Sequence, residues 1–128
     1  MRVKGIHHVS LIVSSTATSL AFYSGVLGLA VSERRPELGF PGAWLEFADQ
    51  QIHLLELPNP DPVEGRPAQG GRDRHVALRV DDLDAFRTRL EASGVAVQMS
   101  RSGRRALFCR DPDGHVLELI AERETPRQ

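Results

Sequence analysis

A six-residue pattern, His-Val-x-Leu-x-Val, occurs twice in this chain and constrains its fold more than any other feature. The copies are His8–Val13, near the start, and His75–Val80, in the second half. Aliphatic residues alternate with other residues in both copies, which is typical of a β-strand with one buried face, and each histidine lies opposite that face. A repeat of this kind predicts two related modules.

The segments after each copy also correspond. A helix is predicted over residues 19–26, capped from within residues 14–18 and ended by Gly28, and another from a cap at Asp81 or Asp82 to Gly94. Three strands then follow in each half, at residues 29–33, 43–47 and 51–57 and at residues 95–100, 105–110 and 115–121. The order βαβββ therefore occurs twice, and the predicted fold class is α+β.

The predicted modules span about residues 4–57 and 74–122 of a single domain, 1–128. Four prolines and three glycines lie in the joining segment, residues 58–73, which favours a connecting loop with little structure of its own. With 128 residues, 41% of them hydrophobic, the chain is large enough for one compact domain.

Charge and apolar content limit the partners. Sixteen Lys and Arg against seventeen Asp and Glu leave a net charge of -1, which argues against binding to a nucleic acid backbone. We expect no membrane partner, and a cytoplasmic location, because no signal-peptide pattern or long apolar stretch is present. Cys109 is the only cysteine, so the chain cannot form an internal disulfide.

Four segments in order carry a resemblance to a known family: residues 6–13, 21–29, 75–80 and 111–119. They resemble the vicinal oxygen chelate superfamily, which includes glyoxalase I, fosfomycin-modifying thiol transferases, extradiol dioxygenases and bleomycin-binding proteins. The resemblance implies paired βαβββ modules that form a cup-shaped mixed sheet around a metal ion. It also implies a homodimer, in which the cup closes either within one chain or across two chains.

The resemblance assigns metal ligands to the first and last strand of each module. It places them at His8, His75 and Glu118. For the fourth ligand His53 and Glu56 are alternatives, since positions three apart on a strand face opposite ways. The repeat favours His53, which follows His8 by 45 residues, as Glu118 follows His75 by 43; Glu56 would give 48. This donor set suits a divalent ion, Zn, Ni, Mn, Co or Fe.

The leading functional hypothesis is a metal-dependent, glyoxalase-like lyase or isomerase that acts on a small oxygenated molecule. Glu118 is then the candidate catalytic base, with Glu56 and Glu46 as alternatives, and the ion stabilises an enediolate or oxyanion. An extradiol-type Fe(II) dioxygenase and a metal-free ligand-binding protein of the bleomycin-resistance type are the alternatives. Trp44 and Arg79 are candidate substrate contacts, whereas Arg101, Arg104 and Arg105 are interpreted as a solvated edge.

Overall fold

The computed structural model describes residues 1–122 and divides the chain into two compact units, Met1–Pro62 and Val63–Gln128. Both follow the predicted βαβββ order. The first unit contains β1 (His8–Val13), α1 (Thr16–Leu20), a π-helical segment (Ala21–Val26), β2 (Ala30–Val31), β3 (Gly42–Phe47) and β4 (Gln50–Glu56). The second contains a 3-10 turn (Gly70–Arg72), β5 (His75–Val80), α2 (Leu83–Ala92), β6 (Gln98–Met99), β7 (Ala106–Arg110) and β8 (Val116–Ala121).

Each unit has one mixed four-stranded sheet with the same topology. The strand order is β1-β4-β3-β2 in the first and β5-β8-β7-β6 in the second. The first and last strands of each unit pair in parallel, and the remaining pairs are antiparallel. The predicted repeat is thus confirmed at the level of strand pairing, and the α+β class with it.

In the first module the helix begins earlier than predicted. Ser15 caps it by accepting a hydrogen bond from the Thr18 amide at 3.2 Å, so α1 starts at Thr16. The helix then widens into the π-helical segment, which ends at Val26; Gly28 lies two residues further on, with a φ of 75° that suits glycine. The core of this module is built from Val13, Tyr23, Leu45, Ile52 and Leu54, all nearly inaccessible to solvent.

The second module matches its prediction more closely. Asp82 caps α2 by accepting a hydrogen bond from the Ala85 amide at 3.1 Å. The core side chains are Leu83, Leu90, Leu107, Leu117 and Leu119. None of the helices within residues 1–122 is long and apolar enough to cross a membrane.

The second strand of each module is shorter than predicted. Residues 29–33 and 95–100 were expected as strands, but only Ala30–Val31 and Gln98–Met99 form regular ladders. Both are edge strands with exposed side chains, paired on one side only, so little burial holds their ends in register. One further backbone bond extends each, from the Ser32 amide to Trp44 and from the Ser100 amide to Ala106.

The segment 58–73 has more structure than expected in its second half. The boundary between the units falls inside it, and residues 63–73 belong to the second unit. Its 3-10 turn packs directly on Phe108: a Cβ at Gly70 would lie 3.0 Å from the Phe108 Cβ, and one at Gly71 would lie 3.2 Å from the Phe108 Cζ. Gln98 holds the same turn through the Ala68 carbonyl and the Gly70 amide. Side-chain packing therefore orders a segment whose composition indicated a loop.

Candidate functional site

Strand register gives His53 and Glu118 equivalent positions in the two modules. In the first, His53 pairs with Ser10, two residues after His8. In the second, Glu118 pairs with Ala77, two residues after His75. Neighbouring parallel strands present such residues on one face, so each module brings one first-strand histidine beside one last-strand side chain.

The second-module pair, His75 and Glu118, has the geometry of two donors for one cation. The His75 Nε2 lies 3.3 Å from the Glu118 Oε1. The His75 Nδ1 is 2.8 Å from the Asp73 carbonyl oxygen, which can only accept, so Nδ1 donates and Nε2 is the nitrogen left to bind an ion. Two donors bound at about 2.1 Å to one tetrahedral ion lie about 3.4 Å apart. The observed separation agrees with that value.

Glu118 is a buried carboxylate that the protein only partly satisfies. Its side chain is 2% exposed, and its Oε2 accepts no hydrogen bond among residues 1–122. The nearest cation, the Arg104 Nη2, is 3.5 Å from Oε2. A buried charged oxygen without a hydrogen bond is costly, and a bound cation would relieve that cost. The residues present therefore fit the divalent ion that the resemblance implies.

A network on Asp73 holds the carbonyl that orients His75. The Asp73 carboxylate accepts hydrogen bonds from the Arg66 guanidinium, from the Arg110 Nη1 at 3.0 Å and from the Arg74 amide at 2.8 Å. Its side chain is only 4% exposed. Hydrogen bonding to Arg66, aided by Arg110 and opposed by burial, holds the pKa of Asp73 well below its usual range. The negative charge at this position is therefore stable.

In the first module, aromatic stacking positions the histidine pair. The rings of His8 and His53 are stacked with centroids 3.9 Å apart, and the Trp44 ring lies on the other face of His53 at 4.2 Å. Burial lowers the pKa of His53, with a further contribution from the nearby charge of His8. His53 is consequently neutral near pH 7, which is the form that binds metal.

The ring nitrogens of this pair have partners of their own. The His53 Nε2 donates to the Gln51 Oε1 at 2.7 Å, because the Gln51 Nε2 donates in turn to Glu46. The Nδ1 atoms of His8 and His7 lie 2.9 Å apart. Binding of an ion through the His53 Nε2 would therefore replace the bond to Gln51.

Glu56, the alternative to His53, is engaged elsewhere. Its Oε1 accepts a hydrogen bond from the Thr16 amide at 2.7 Å, at the first residue of α1. Along β4 it alternates onto the face opposite His53, as expected for positions three apart. The geometry therefore gives Glu56 a structural role at the start of the helix.

A cleft of about 620 Å³ opens beside the His75 and Glu118 pair. Phe108, the register equivalent of Trp44, forms part of its wall and meets the His75 ring edge to face at 5.4 Å. Arginines supply much of the remaining wall: Arg72, Arg101 and Arg104.

Two arginines interpreted as a solvated edge, Arg101 and Arg104, are exposed, as expected, and in addition line the cleft. Arg105 lies outside the cleft, and its guanidinium pairs with the Asp84 carboxylate at 2.6 Å. Arg79, predicted as a substrate contact, is exposed on β5 and does not line this cleft. Arg72 had no sequence signal, since it lies in the segment interpreted as a loop.

The described residues bring candidate ligands together in pairs. His8 meets His53 in one module, and His75 meets Glu118 in the other. No group of three or more His, Cys, Asp or Glu side chains within residues 1–122 is arranged to hold a metal ion. A site with four ligands would need both pairs.

Comparison with known proteins agrees with the fold. The sequence-family model for the Glyoxalase/Bleomycin resistance protein/Dioxygenase superfamily matches residues 5–119 of this chain. Glyoxylase I 4 of Arabidopsis thaliana is 33% identical, over 93% of this chain and 71% of its own length. YaeR of Escherichia coli (strain K12), an uncharacterized protein, is also 33% identical, over 94% of this chain and 98% of its own. TnmS3, an antibiotic binding protein from Streptomyces sp. CB03234, is 26% identical with a TM-score of 0.73, covering 96% of this chain and 99% of its own.

Other relatives bear the names of different activities. They include a metallothiol transferase, a manganese-dependent dioxygenase and a lactoylglutathione lyase, each 27% to 30% identical to this chain. These names span several reactions, so similarity at this level indicates the family and not one activity. The match over residues 5–119, the paired βαβββ modules and the relatives agree: the chain belongs to the glyoxalase, bleomycin resistance protein and dioxygenase superfamily.

Proposed function

We propose that the chain is a metal-dependent enzyme, a glyoxalase-like lyase or isomerase for a small oxygenated substrate. The ligands would be His8, His53, His75 and Glu118, and the ion Zn, Ni, Mn, Co or Fe. The observation that carries the proposal is the buried Glu118 carboxylate, which lies 3.3 Å from the His75 Nε2 and keeps one oxygen without a hydrogen bond. Relatives whose names specify a metallothiol transferase and a manganese-dependent enzyme support a metal.

The ion, when bound, supplies Lewis acidity to two neighbouring substrate oxygens. Glu118 acts as the general base and removes a proton from the carbon next to a carbonyl. Its Oε2 is suited to this task because it accepts no hydrogen bond within residues 1–122 and because Glu118 lines the cleft. Returning the same proton to the neighbouring carbon, while the hydroxyl proton moves to the former carbonyl oxygen, completes the isomerisation of an α-hydroxycarbonyl compound without any other reactant. The Asp73 carbonyl keeps the His75 proton on Nδ1 throughout.

The two donor pairs belong to different modules, so we propose that one ion is shared between them. Sharing can occur within one chain or between the chains of a homodimer. Light scattering combined with the metal-to-chain ratio tests this part. A dimer with one ion per chain is the expected result, and one ion bound by each isolated pair, two per chain, would contradict it.

The deciding experiment measures metal and proton transfer in the same preparations. Protein purified without chelators or a His-tag is analysed for metal content, and the metal-free form is titrated with Co²⁺ and followed by absorbance. We expect one transition metal per chain and, in His75→Ala, a Co²⁺ affinity weakened by more than the roughly 10-fold to 100-fold that loss of a residue supporting a ligand costs.

Glu118→Gln should in addition abolish exchange of the carbon-bound proton of α-hydroxyketones into D₂O, followed by NMR. Retention of both metal and exchange in Glu118→Gln would overturn the assignment of the base. Bound iron together with O₂ consumption in the presence of a catechol would favour the dioxygenase alternative. Freshly purified protein without metal would favour the ligand-binding alternative, the function named for TnmS3.

A further inference from the structure

The cleft beside Glu118 concentrates positive charge that its own walls do not neutralise. Three guanidinium groups line it, from Arg72, Arg101 and Arg104, and Glu118 is the single acidic residue of the lining. The chain as a whole carries a net charge of -1, so this local excess does not follow from composition. Such a cleft attracts anions more strongly than the average surface does.

Arg72 and Arg101 are available for a ligand. Neither guanidinium forms an ion pair or a hydrogen bond within the part of the chain that the structure describes, residues 1–122, and both are exposed. Other arginines of this module are engaged: Arg110 binds Asp73 at 3.0 Å, and Arg105 binds Asp84 at 2.6 Å. Two unpaired arginines thus lie on the wall of the cleft.

Hydroxyl groups extend the polar wall. Ser100 and Ser102 both line the cleft, and their Oγ atoms lie 2.8 Å apart. The Ser102 Oγ also accepts a hydrogen bond from the Arg104 side chain at 3.4 Å. The turn 100–104 thereby presents guanidinium and hydroxyl donors together, a combination that binds planar and tetrahedral oxyanions.

The charges also determine where an anion can bind. Glu118 is negative and 2% exposed, so an anionic group beside it would be repelled. Arg104 already compensates Glu118 at 3.5 Å, which leaves Arg72 and Arg101 as the attractive side. An anionic substrate would therefore place its charged group at these two arginines and its uncharged end at Glu118.

We propose that the cleft binds an oxyanion group of the substrate, a carboxylate or a phosphoryl group, through Arg72 and Arg101. This orientation directs the reacting carbon to Glu118, a consequence that rests on the proposed function, whereas binding of the anion does not. The substrate class is a small hydroxycarbonyl or dicarbonyl compound that carries a carboxylate or a phosphate.

Calorimetric titration of metal-free protein at low ionic strength tests the proposal, with inorganic phosphate, malonate and the uncharged control glycerol as probes. We expect saturable binding of phosphate or malonate and none of glycerol. The stronger of the two anions identifies the headgroup. The double variant Arg72→Gln, Arg101→Gln should weaken anion binding about tenfold or more, since two charged hydrogen-bond donors are lost.

Arg105→Gln is the matched control, because it removes one cation from the same module but outside the cleft. We expect it to leave anion binding unchanged. The proposal is overturned if neither anion binds, if the double variant binds as wild type does, or if Arg105→Gln weakens binding as much as the double variant. Circular dichroism verifies that each variant is folded.

A Co²⁺ titration of the same variants separates this proposal from the proposed function. Anion binding without Co²⁺ binding would overturn the metal-dependent function and leave the oxyanion cleft intact. Co²⁺ binding without anion binding would overturn the oxyanion cleft and leave the metal-dependent function intact.

Discussion

Asp73 connects the stability of the second module to the orientation of His75, and its substitution by asparagine tests that connection. The exchange preserves size and removes the charge. The carboxylate accepts at Oδ2 from the Arg66 Nε at 3.2 Å and from the Arg110 Nη1 at 3.0 Å. If the amide nitrogen replaces Oδ2, its N–H groups face two N–H donors, and both bonds are lost. Flipping the amide would instead sacrifice the bonds at Oδ1.

The structure gives the size of the effect. A hydrogen bond to a charged group contributes about 1.5 to 3 kcal/mol, so two of them amount to about 3 to 6 kcal/mol. The Arg66 and Arg110 side chains are 26% and 32% exposed, and water can replace part of what they lose. We therefore expect Asp73→Asn to lower the free energy of unfolding by about 3 kcal/mol.

Urea denaturation followed by circular dichroism measures this change, and Asp84→Asn is the matched control. Asp84 pairs with Arg105 at 2.6 Å, but its side chain is 79% exposed. An exposed pair contributes less than about 1 kcal/mol, so the same chemical exchange should have little effect there. Equal urea midpoints for the two variants would refute the claim that burial makes the Asp73 network more stabilising than the exposed Asp84 pair.

The dependence of stability on pH provides a second readout. The pKa of Asp73 is lower in the folded chain than its ordinary value of 3.8. Its contribution is therefore fully present above pH 3.8 and is lost as the pH falls through the lower folded value. Asp73→Asn should lack this part of the acid-induced loss of stability. An unchanged acid profile would show that the network does not bind the charged form preferentially.

Further predictions concern individual positions. Burial raises the pKa of Cys109 to about 12, so its thiol should resist a disulfide reagent at pH 8 in the native state and react in urea; rapid native reaction would contradict this. Gly42→Ala should cost more than about 2 kcal/mol in urea unfolding, because its Cβ would lie 2.2 Å from a backbone carbonyl of β4, whereas Gly25→Ala, with its nearest atom at 4.0 Å, should cost less than about 1 kcal/mol. Glu56→Gln should leave Co²⁺ affinity unchanged, and a tenfold loss would reassign the fourth ligand from His53 to Glu56. Glu118→Gln in metal-free protein should bind phosphate more tightly in calorimetry, and weaker binding would refute the proposed repulsion.

Local patterns were sufficient to predict most of the fold. Alternation along His8–Val13 and His75–Val80 identified the first strands and their buried faces, and Asp82 and Gly94 marked the ends of α2. Such signals lie within a few residues of one another and do not depend on tertiary contacts. The predictions failed where tertiary pairing decides the outcome. The strands β2 and β6 are shorter than predicted because each is an edge strand paired on one side only.

The repeat by itself also determined which residues correspond between the modules, and the strand register placed His53 and Glu118 accordingly. It could not determine their environment. The state of the His75 nitrogens depends on the Asp73 carbonyl, and the unpaired oxygen of Glu118 depends on what surrounds it. Both are properties of side-chain packing, and packing leaves no regular pattern in the sequence from which it could be predicted.

The arginine cleft depends on tertiary structure in the same way. Arg72 lies about 30 residues before Arg101 and Arg104, within a segment whose prolines and glycines indicate only a loop. Packing of the Gly70–Arg72 turn on Phe108 brings it to the wall of the cleft. The sequence alone therefore determined two modules, their strand faces and their candidate ligands, because alternation and capping are local. Only the tertiary structure decided which charges line the cleft, because that depends on side chains distant in the chain.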